Sequence, residues 1–185
     1  MIVAITGTPG IGKTSVSEAL TRGEYDVVDL NKVAVEKQFL ISIDEDRDSK
    51  IVDIDKLNKH ITKNYNKKDI VFIDSHLSHL LESVDKVIIL RCHPKNLKKR
   101  LSAKNWKKEK IMENLQSEIL DIILCESAER HSRENIFEID TTNKDIDSVA
   151  ECVVEIVKNN FEHMKKYNMG NIDWSEEILK EEYKG

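Results

Sequence analysis

A glycine-rich segment near the start of the chain constrains the fold more than any other feature. Gly7-Thr8-Pro9-Gly10-Ile11-Gly12-Lys13-Thr14 has the spacing GxxxxGK[ST] and directly follows the apolar run Ile2–Thr6. Glycines at these positions let backbone N–H groups turn toward phosphate oxygens, and the lysine reaches the β- and γ-phosphates. A strand that leads through such a loop into a helix predicts a nucleotide-binding α/β domain.

The loop supplies most of the predicted ligand contacts. We predict that Gly10, Gly12, Lys13, Thr14 and Ser15 bind ATP, because backbone amides at a helix N-terminus favour phosphate. Thr14 offers its hydroxyl to Mg²⁺, and Lys13 is also a catalytic candidate because its charge would offset charge on a transferring phosphoryl group.

Apolar runs alternate with helical patterns along the rest of the chain. This alternation predicts an α/β fold of the three-layer P-loop NTPase type, a five-stranded parallel sheet with helices on both faces. The predicted strands are 2–6, 25–29, 70–73, 86–90 and 135–140. The predicted helices are about 14–20, 32–38, 55–65, 94–103, 109–131 and 145–160, and residues 40–53 are expected to be irregular.

Composition limits the class of protein. With 185 residues, 39% of them hydrophobic and 34% charged, the chain suits one domain with a highly charged surface. No apolar run is long enough to span a bilayer, so we expect no membrane contact and a cytoplasmic protein. A net charge of −5 indicates no sequence-specific nucleic-acid binding, and three scattered cysteines indicate neither a disulfide framework nor a zinc site.

A second acidic element follows the most hydrophobic run. Asp74 ends the apolar segment 70–73, where an aspartate that binds Mg²⁺ belongs in this fold, and His76 lies two residues beyond it. We predict that Asp74 is a metal-linked catalytic residue and that His76 points into the same cleft. A strand-ending or helix-capping aspartate and a histidine with no catalytic role are the alternatives.

The insertions between strands separate the classes of P-loop protein. The segment that reads the base in switch GTPases is matched only loosely by Asn143-Lys144-Asp145, because Ile146 stands where an aspartate is needed. We nevertheless predict that Lys144 binds the nucleotide. Residues 31–53 suit an insertion that holds a phosphoryl acceptor, and about 102–112 suit a basic lid. Lys104 is the predicted lid cation, with Lys107 and Lys108 beside it, although lysines in such a run are often only solvated.

The chain resembles the adenylate kinase isoenzyme six family over about residues 2 to 158. The stretches that carry the resemblance are 6–14 (TGTPGIGKT), 44–48 (DEDRD), 74–76 (DSH), 90–91, 97–104, 113–114, 118–119 and 126–128. The resemblance implies a broad-specificity nucleoside monophosphate kinase that uses ATP and Mg²⁺ to convert AMP to ADP. On this reading Arg91 and Arg100 also support the phosphoryl group from the lid side.

The same resemblance implies a second role. Family members assist late maturation of the small ribosomal subunit and its 16S rRNA, which would make the chain an ATPase assembly factor whose partners are the ribosomal protein uS11 and the pre-30S particle. A small-metabolite kinase of the shikimate or gluconate kind is a further alternative. The chain departs from the family at Lys104, where arginine is common, at Asn105-Trp106, where Gly-Tyr is common, and at Val35.

The domain boundary is expected near residue 160. We predict a P-loop kinase domain over 1–160 and a C-terminal extension over 161–185 that is too polar to add much to the core. Trp174, Ile178 and Leu179 give this extension one apolar face, which we expect to dock on the chain itself. We expect that removing the extension leaves the turnover of ATP and AMP intact and weakens binding to a macromolecular partner.

Overall fold

The computed structural model describes residues 1–44, 49–65, 69–180 and 183. Most of the acidic stretch noted above, residues 45–48, lies outside this part of the chain. The strands are β1 (Ile2–Thr6), β2 (Asp26–Asp29), β3 (Leu40–Asp44), β4 (Ser49–Val52), β5 (Val71–Asp74), β6 (Lys86–Arg91) and β7 (Ile136–Asp140). The α-helices are α1 (Lys13–Arg22), α2 (Leu30–Glu36), α3 (Ile54–Tyr65), α4 (Pro94–Ser102), α5 (Lys108–Ile119), α6 (Ile122–Arg130) and α7 (Ile146–Lys158).

Five parallel strands form the central sheet in the order β2-β5-β1-β6-β7. The register pairs Ile5 of β1 with Asp74 of β5 and Thr6 of β1 with Ile89 of β6. Because β1 lies between β5 and β6, the loop after β1 emerges beside the carboxyl ends of both neighbours. Ligands of open parallel sheets bind at this edge.

Helices cover both faces of the sheet, as predicted. Alternate strand residues point to opposite faces. One set packs against α1, α4, α5 and α7, and the other packs against α2, α3 and α6. The central strands are buried on both faces, which explains their continuous apolar sequences. The predicted five-stranded three-layer fold is therefore confirmed.

Two predicted elements differ from the structure. Residues 40–53, expected to be irregular, contain the antiparallel hairpin β3–β4, which pairs Leu40 with Val52. The predicted helix 109–131 is two helices, α5 and α6, because Asp121 adopts a left-handed conformation with φ 53°. The Asp121 carboxylate bonds the buried guanidinium of Arg91, and this long-range contact favours the break that local periodicity does not reveal.

The two edge strands of the sheet, β2 and β7, have different surroundings. At one edge β2 is four residues long and has an exposed aspartate at each end, Asp26 and Asp29. At the other edge β7 receives an antiparallel bridge from the C-terminal segment, between Phe137 and Asn168.

The C-terminal segment contributes to the core, so the expectation that it adds little is wrong. Phe161 and Tyr167 are buried in the same apolar cluster as β6, β7 and α7. The Phe161 ring meets the Phe137 ring edge-on at 6.0 Å, and the Trp174 ring meets His93 at 5.0 Å. The expectation that this apolar face docks on the chain is confirmed for Trp174, whereas Ile178 and Leu179 are exposed.

Candidate active site

The glycine-rich loop adopts a conformation that depends on glycine. Gly10 and Gly12 have φ of 88° and 114°, in the region that L-residues rarely adopt. A Cβ on Gly10 would also collide with the side chain of Leu101 in α4. Gly12 caps α1, so the free N–H groups of the first turn, at Lys13, Thr14 and Ser15, lie at the loop. With no acidic residue in that turn, this helix end favours an anion.

The Lys13 ammonium is folded back onto the loop. Its Nζ donates hydrogen bonds to the carbonyl oxygens of Gly7, at 2.6 Å, and Thr8, at 3.1 Å. Burial lowers the pKa of Lys13 to about 8, while the negative charges of Asp74 and Glu118 act in the opposite direction. A half-buried ammonium group that is bonded to backbone carbonyl oxygens is well placed to exchange them for phosphate oxygens.

Asp74 lies at the end of β5, beside the loop. The sheet register places it opposite Ile5, two residues before Gly7. Burial raises the pKa of its carboxyl, and the charge of Lys13 opposes that rise. A carboxylate kept away from water gains from a nearby cation, so this position favours a bound metal or ammonium group.

His76 is partly buried and lines the larger of the cavities beside the loop. Burial lowers its pKa to about 4, and the positive charge of Lys13 contributes to the shift. The imidazole is therefore neutral near pH 7, so it acts as a hydrogen-bonding group and not as a cation. The prediction that His76 points into the cleft is consistent with this placement, while its role in the chemistry stays a prediction.

The donor groups present fit Mg²⁺. This ion prefers oxygen ligands and keeps several waters and phosphate oxygens, so it needs few protein ligands. Thr14 supplies an exposed hydroxyl in the first turn of α1, and Asp74 supplies a buried carboxylate. No group of three or more His, Cys, Asp or Glu in the described part of the chain has the geometry of a metal cluster. Thr14 and Asp74 would hold Mg²⁺ together with the nucleotide.

A cavity of about 350 Å³ lies on one side of the loop. It is lined by Ile11, Gly12, Ser15, Arg100, Thr141 and Lys144, with apolar residues of α7 behind them. Lys144 is exposed and its Nζ donates to the Asp140 carbonyl at 2.7 Å. The structure thus brings three of the predicted ATP contacts, Gly12, Ser15 and Lys144, to one cavity.

A larger cavity of about 620 Å³ lies on the other side of the loop. Its apolar lining comes from α2, the hairpin β3–β4 and the segment before α5, and includes Val35, Leu40, Val52 and Trp106. Its polar lining comes from Asn31, His76 and one face of α5 and α6, namely Lys110, Glu113, Asn114, Ser117 and Glu126. Both predicted insertions therefore contribute walls to this cavity.

The predicted lid cation lies near the loop. Lys104 is exposed, and its ammonium is 5.8 Å from the centre of the Trp106 ring, while Lys110 is 5.0 Å from the same ring. The charge of Lys104 acts on Lys13, which places the two ammonium groups in the same region. The structure leaves the catalytic role of Lys104 as a prediction.

Arg91 does not act from the lid side, so the sequence interpretation is wrong for Arg91, whereas a role of Arg100 toward the nucleotide stays a prediction. Arg91 is 2% exposed and forms ion pairs with Glu118, Asp121 and Glu138 inside the protein. Arg100 donates to the carbonyl oxygens of Ile11 and Thr141, both at 2.9 Å, and so fixes the loop to the start of the segment after β7.

Two acidic residues near the site belong to stretches that carry the family resemblance, but the sequence interpretation assigned neither of them a chemical role. Glu118 is buried on α5 and accepts a hydrogen bond from the Thr8 hydroxyl of the loop. Glu126 lines the larger cavity and bonds the buried His79 ring at 3.0 Å, whose other nitrogen contacts Thr6. For Glu118 a signal was present, because it falls on the apolar face of its helix with Ile111, Leu115 and Ile119.

The parallel sheet and the phosphate loop that leaves its central strand define the class of protein as a P-loop nucleotide-binding enzyme. A protein-family profile described as an AAA domain matches residues 3–121, which include the loop, Asp74 and the whole of α5. In this class ATP is bound with Mg²⁺ as the phosphoryl donor.

Relatives in archaea identify the family. The chain is 39% identical over 180 residues to a protein of Methanocaldococcus jannaschii named "Putative adenylate kinase", covering 97% of this chain and 96% of that one. A protein of Archaeoglobus fulgidus with the same name is 41% identical over 178 residues, covering 96% and 94%. The chain belongs to this family of archaeal adenylate-kinase-like P-loop enzymes.

Solved structures with lower identity share the fold. Shikimate kinase from Bacteroides thetaiotaomicron superposes with a TM-score of 0.60 at 16% identity, over 85% of this chain and 98% of that one. A gluconokinase from Sinorhizobium meliloti 1021 superposes with a TM-score of 0.53 at 15% identity, over 85% and 93%. These similarities establish the architecture alone. No helix in the described residues is long and apolar enough to cross a membrane.

Proposed function

We propose that this protein is a nucleoside monophosphate kinase that transfers the γ-phosphoryl group of ATP to a monophosphate, with AMP as the expected acceptor. The observation that carries the proposal is the pair of cavities on opposite sides of the phosphate loop. Transfer between two nucleotides requires two sites that meet at the phosphoryl group, and the loop with Lys13 stands between these two.

On the donor side, the smaller cavity would hold the base and ribose of ATP, and the N-terminus of α1 would hold its phosphates. Lys13 would leave the Gly7 and Thr8 carbonyls and bind the β- and γ-phosphates. Bound Mg²⁺ would screen charge between phosphate oxygens, held by Thr14 and Asp74. Arg100 keeps this side of the loop in place through its bond to Ile11.

On the acceptor side, the larger cavity suits a planar base. Val35, Leu40 and Val52 form an apolar wall, and the indole of Trp106 contributes an aromatic surface. His76 lies beside the loop at the end where the acceptor phosphate would meet ATP. As a neutral imidazole it would orient the attacking oxygen, and Lys104 from the lid would approach charge that develops during transfer.

The composition of this cavity favours a nucleotide over a sugar acid. Shikimate and gluconate are small, hydroxyl-rich carboxylates, whereas the cavity has a largely apolar wall. The small-metabolite alternative is therefore less favoured, although its fold is the same.

A survey of acceptors tests the proposal. Purified protein with ATP and Mg²⁺ would be offered AMP, the other common monophosphates, shikimate and gluconate, with coupled detection of ADP. We expect rapid ADP formation that depends on a monophosphate. Rapid transfer to shikimate or gluconate, with none to a monophosphate, would show that the acceptor is assigned wrongly.

The ATPase and ribosome-maturation roles implied by the family resemblance stay predictions. They require ATP turnover without an acceptor and binding to uS11 or to the pre-30S particle. Measuring ADP release in the absence of monophosphate, with and without purified uS11, tests both. Stimulation by uS11 would support the assembly role, and no change would count against it.

A further inference from the structure

Glu118 is a buried carboxylate at the meeting point of three elements. It is 3% exposed and lies near the end of α5. Its Oε1 accepts from Arg91 Nε at 2.9 Å and from the Cys92 backbone N–H at 3.1 Å, both at the end of β6. Its Oε2 accepts from the Thr8 hydroxyl in the phosphate loop. One carboxylate thus joins α5, β6 and the loop.

Neutralisation of Arg91 does not explain this carboxylate. Arg91 already pairs with Glu138 and Asp121, so two carboxylates oppose one guanidinium before Glu118 is counted. Burying a further negative charge is unfavourable unless hydrogen bonds compensate for lost water. The compensation at Oε2 comes from Thr8, which directs half of the carboxylate toward the loop and away from the arginine.

Thr8 carries two contacts that concern the phosphate site. Its hydroxyl is held by Glu118, and its carbonyl oxygen accepts from Lys13 Nζ at 3.1 Å. The position of this residue therefore sets the resting place of the ammonium group that would bind the transferred phosphate. Thr8 is 1% exposed, so water does not replace Glu118 as its partner.

The helix that carries Glu118 also faces the acceptor cavity. Lys110, Asn114 and Ser117 of α5 line that cavity, and α5 begins directly after the segment that holds Lys104. The distance between the acceptor wall and the loop is therefore set partly by one rigid helix with Glu118 at its far end. An error of about 1 Å in such an arrangement reduces transfer by up to about a hundredfold.

We propose that Glu118 is a positioning residue for phosphoryl transfer, which fixes the Thr8 segment of the phosphate loop relative to the helix that lines the acceptor cavity. The inference rests on the proposed kinase function. Glu118 lines neither of the two cavities that would hold the nucleotides. It acts through Thr8, so its removal should affect the rate of transfer more than the binding of either nucleotide.

Substitutions at Thr8 test this role without disturbing Arg91. Thr8→Val keeps the shape and the carbonyl that holds Lys13 but removes the hydroxyl, and Thr8→Ser keeps the hydroxyl. We expect Thr8→Val to lower kcat ten- to a hundredfold while the KM for ATP changes less than about threefold. Thr8→Ser should restore most of the rate. Glu118→Gln, whose amide still bonds the Thr8 hydroxyl, should lose less rate than Thr8→Val.

All rates would be measured below the melting temperature of each variant, so that only folded protein contributes. Equal kcat for Thr8→Val and the wild type would overturn the proposal, as would a Thr8→Ser variant that is as slow as Thr8→Val. A loss confined to KM would also overturn it. If the wild-type protein phosphorylates no monophosphate, the kinase proposal itself fails. If the wild-type enzyme is active but its kcat does not depend on the Thr8 hydroxyl, only the positioning role of Glu118 fails.

Discussion

Phe161 lies one residue beyond the expected domain boundary, and its removal should destabilise the whole protein. The ring is 4% exposed and packs edge-on against Phe137 of β7. Phe161→Ala deletes a buried ring and leaves a cavity under α7, which costs about 3–5 kcal/mol in comparable cores. For a domain of this size 1 kcal/mol shifts the melting temperature by about 2–4 °C, so we expect a fall of about 6–20 °C.

Urea unfolding followed by circular dichroism would give the free energy, and calorimetry would give the melting temperature. Leu179→Ala is the matched control, because Leu179 is in the same segment and 80% exposed. It should change stability by less than about 0.5 kcal/mol. A Phe161→Ala variant within 1 kcal/mol of the wild type would refute the burial argument and restore the boundary at residue 160.

The same reasoning changes the expectation for a chain that ends at residue 160. Such a chain would lose Phe161, Tyr167 and Tyr183 from the core, together with the bond from the Gly170 N–H to the Glu138 carboxylate. Its stability should fall by more than that of Phe161→Ala. Loss of activity on truncation would then report unfolding, which the circular dichroism spectrum would reveal.

Substitutions at three further positions test the site. Lys13→Ala should abolish transfer with little change in melting temperature; near-normal turnover would refute the loop assignment. His76→Gln should lower kcat by a larger factor than it lowers the affinity for ATP. Because burial and the Lys13 charge hold the pKa of His76 at about 4, protonation of His76 lowers the free energy of unfolding as pH drops from 6.5 toward 4. The His76→Gln variant lacks this contribution and should show a shallower fall. Lys104→Ala should slow transfer about tenfold or more, whereas Lys104→Arg should match or exceed the native rate; a Lys104→Arg variant slower than Lys104→Ala would exclude a lid role.

The sequence predicted those features that depend on local patterns. Apolar runs gave the five strands, and the spacing of Gly10, Gly12 and Lys13 gave the loop, because each depends on residues close in the chain. The placement of Asp74 beside the loop followed from the parallel order of the sheet, which the fold class implies. Their chemical roles remain predictions for the experiments above.

The features that were missed depend on contacts between distant segments. The break at Asp121 is favoured by Arg91, which lies 30 residues earlier. The hairpin β3–β4 is short, and only β3 carries apolar–polar alternation, in Ile41-Ser42-Ile43-Asp44, whereas β4 does not alternate. Arg91 looked like a phosphate ligand because a sequence does not reveal that three carboxylates surround its guanidinium.

The two edge strands of the sheet, β2 and β7, are protected in different ways, and this difference has a consequence for self-association. An uncovered edge strand offers free N–H and C=O groups to a strand of another molecule, and short charged edges discourage such pairing. Asp26 and Asp29 protect the β2 edge in this way, whereas β7 relies on the bridge between Phe137 and Asn168. Loss of the C-terminal segment would therefore expose β7, whose sequence Ile-Phe-Glu-Ile-Asp is rich in β-forming residues. Proteolysis in this segment would therefore favour edge-to-edge aggregation through β7.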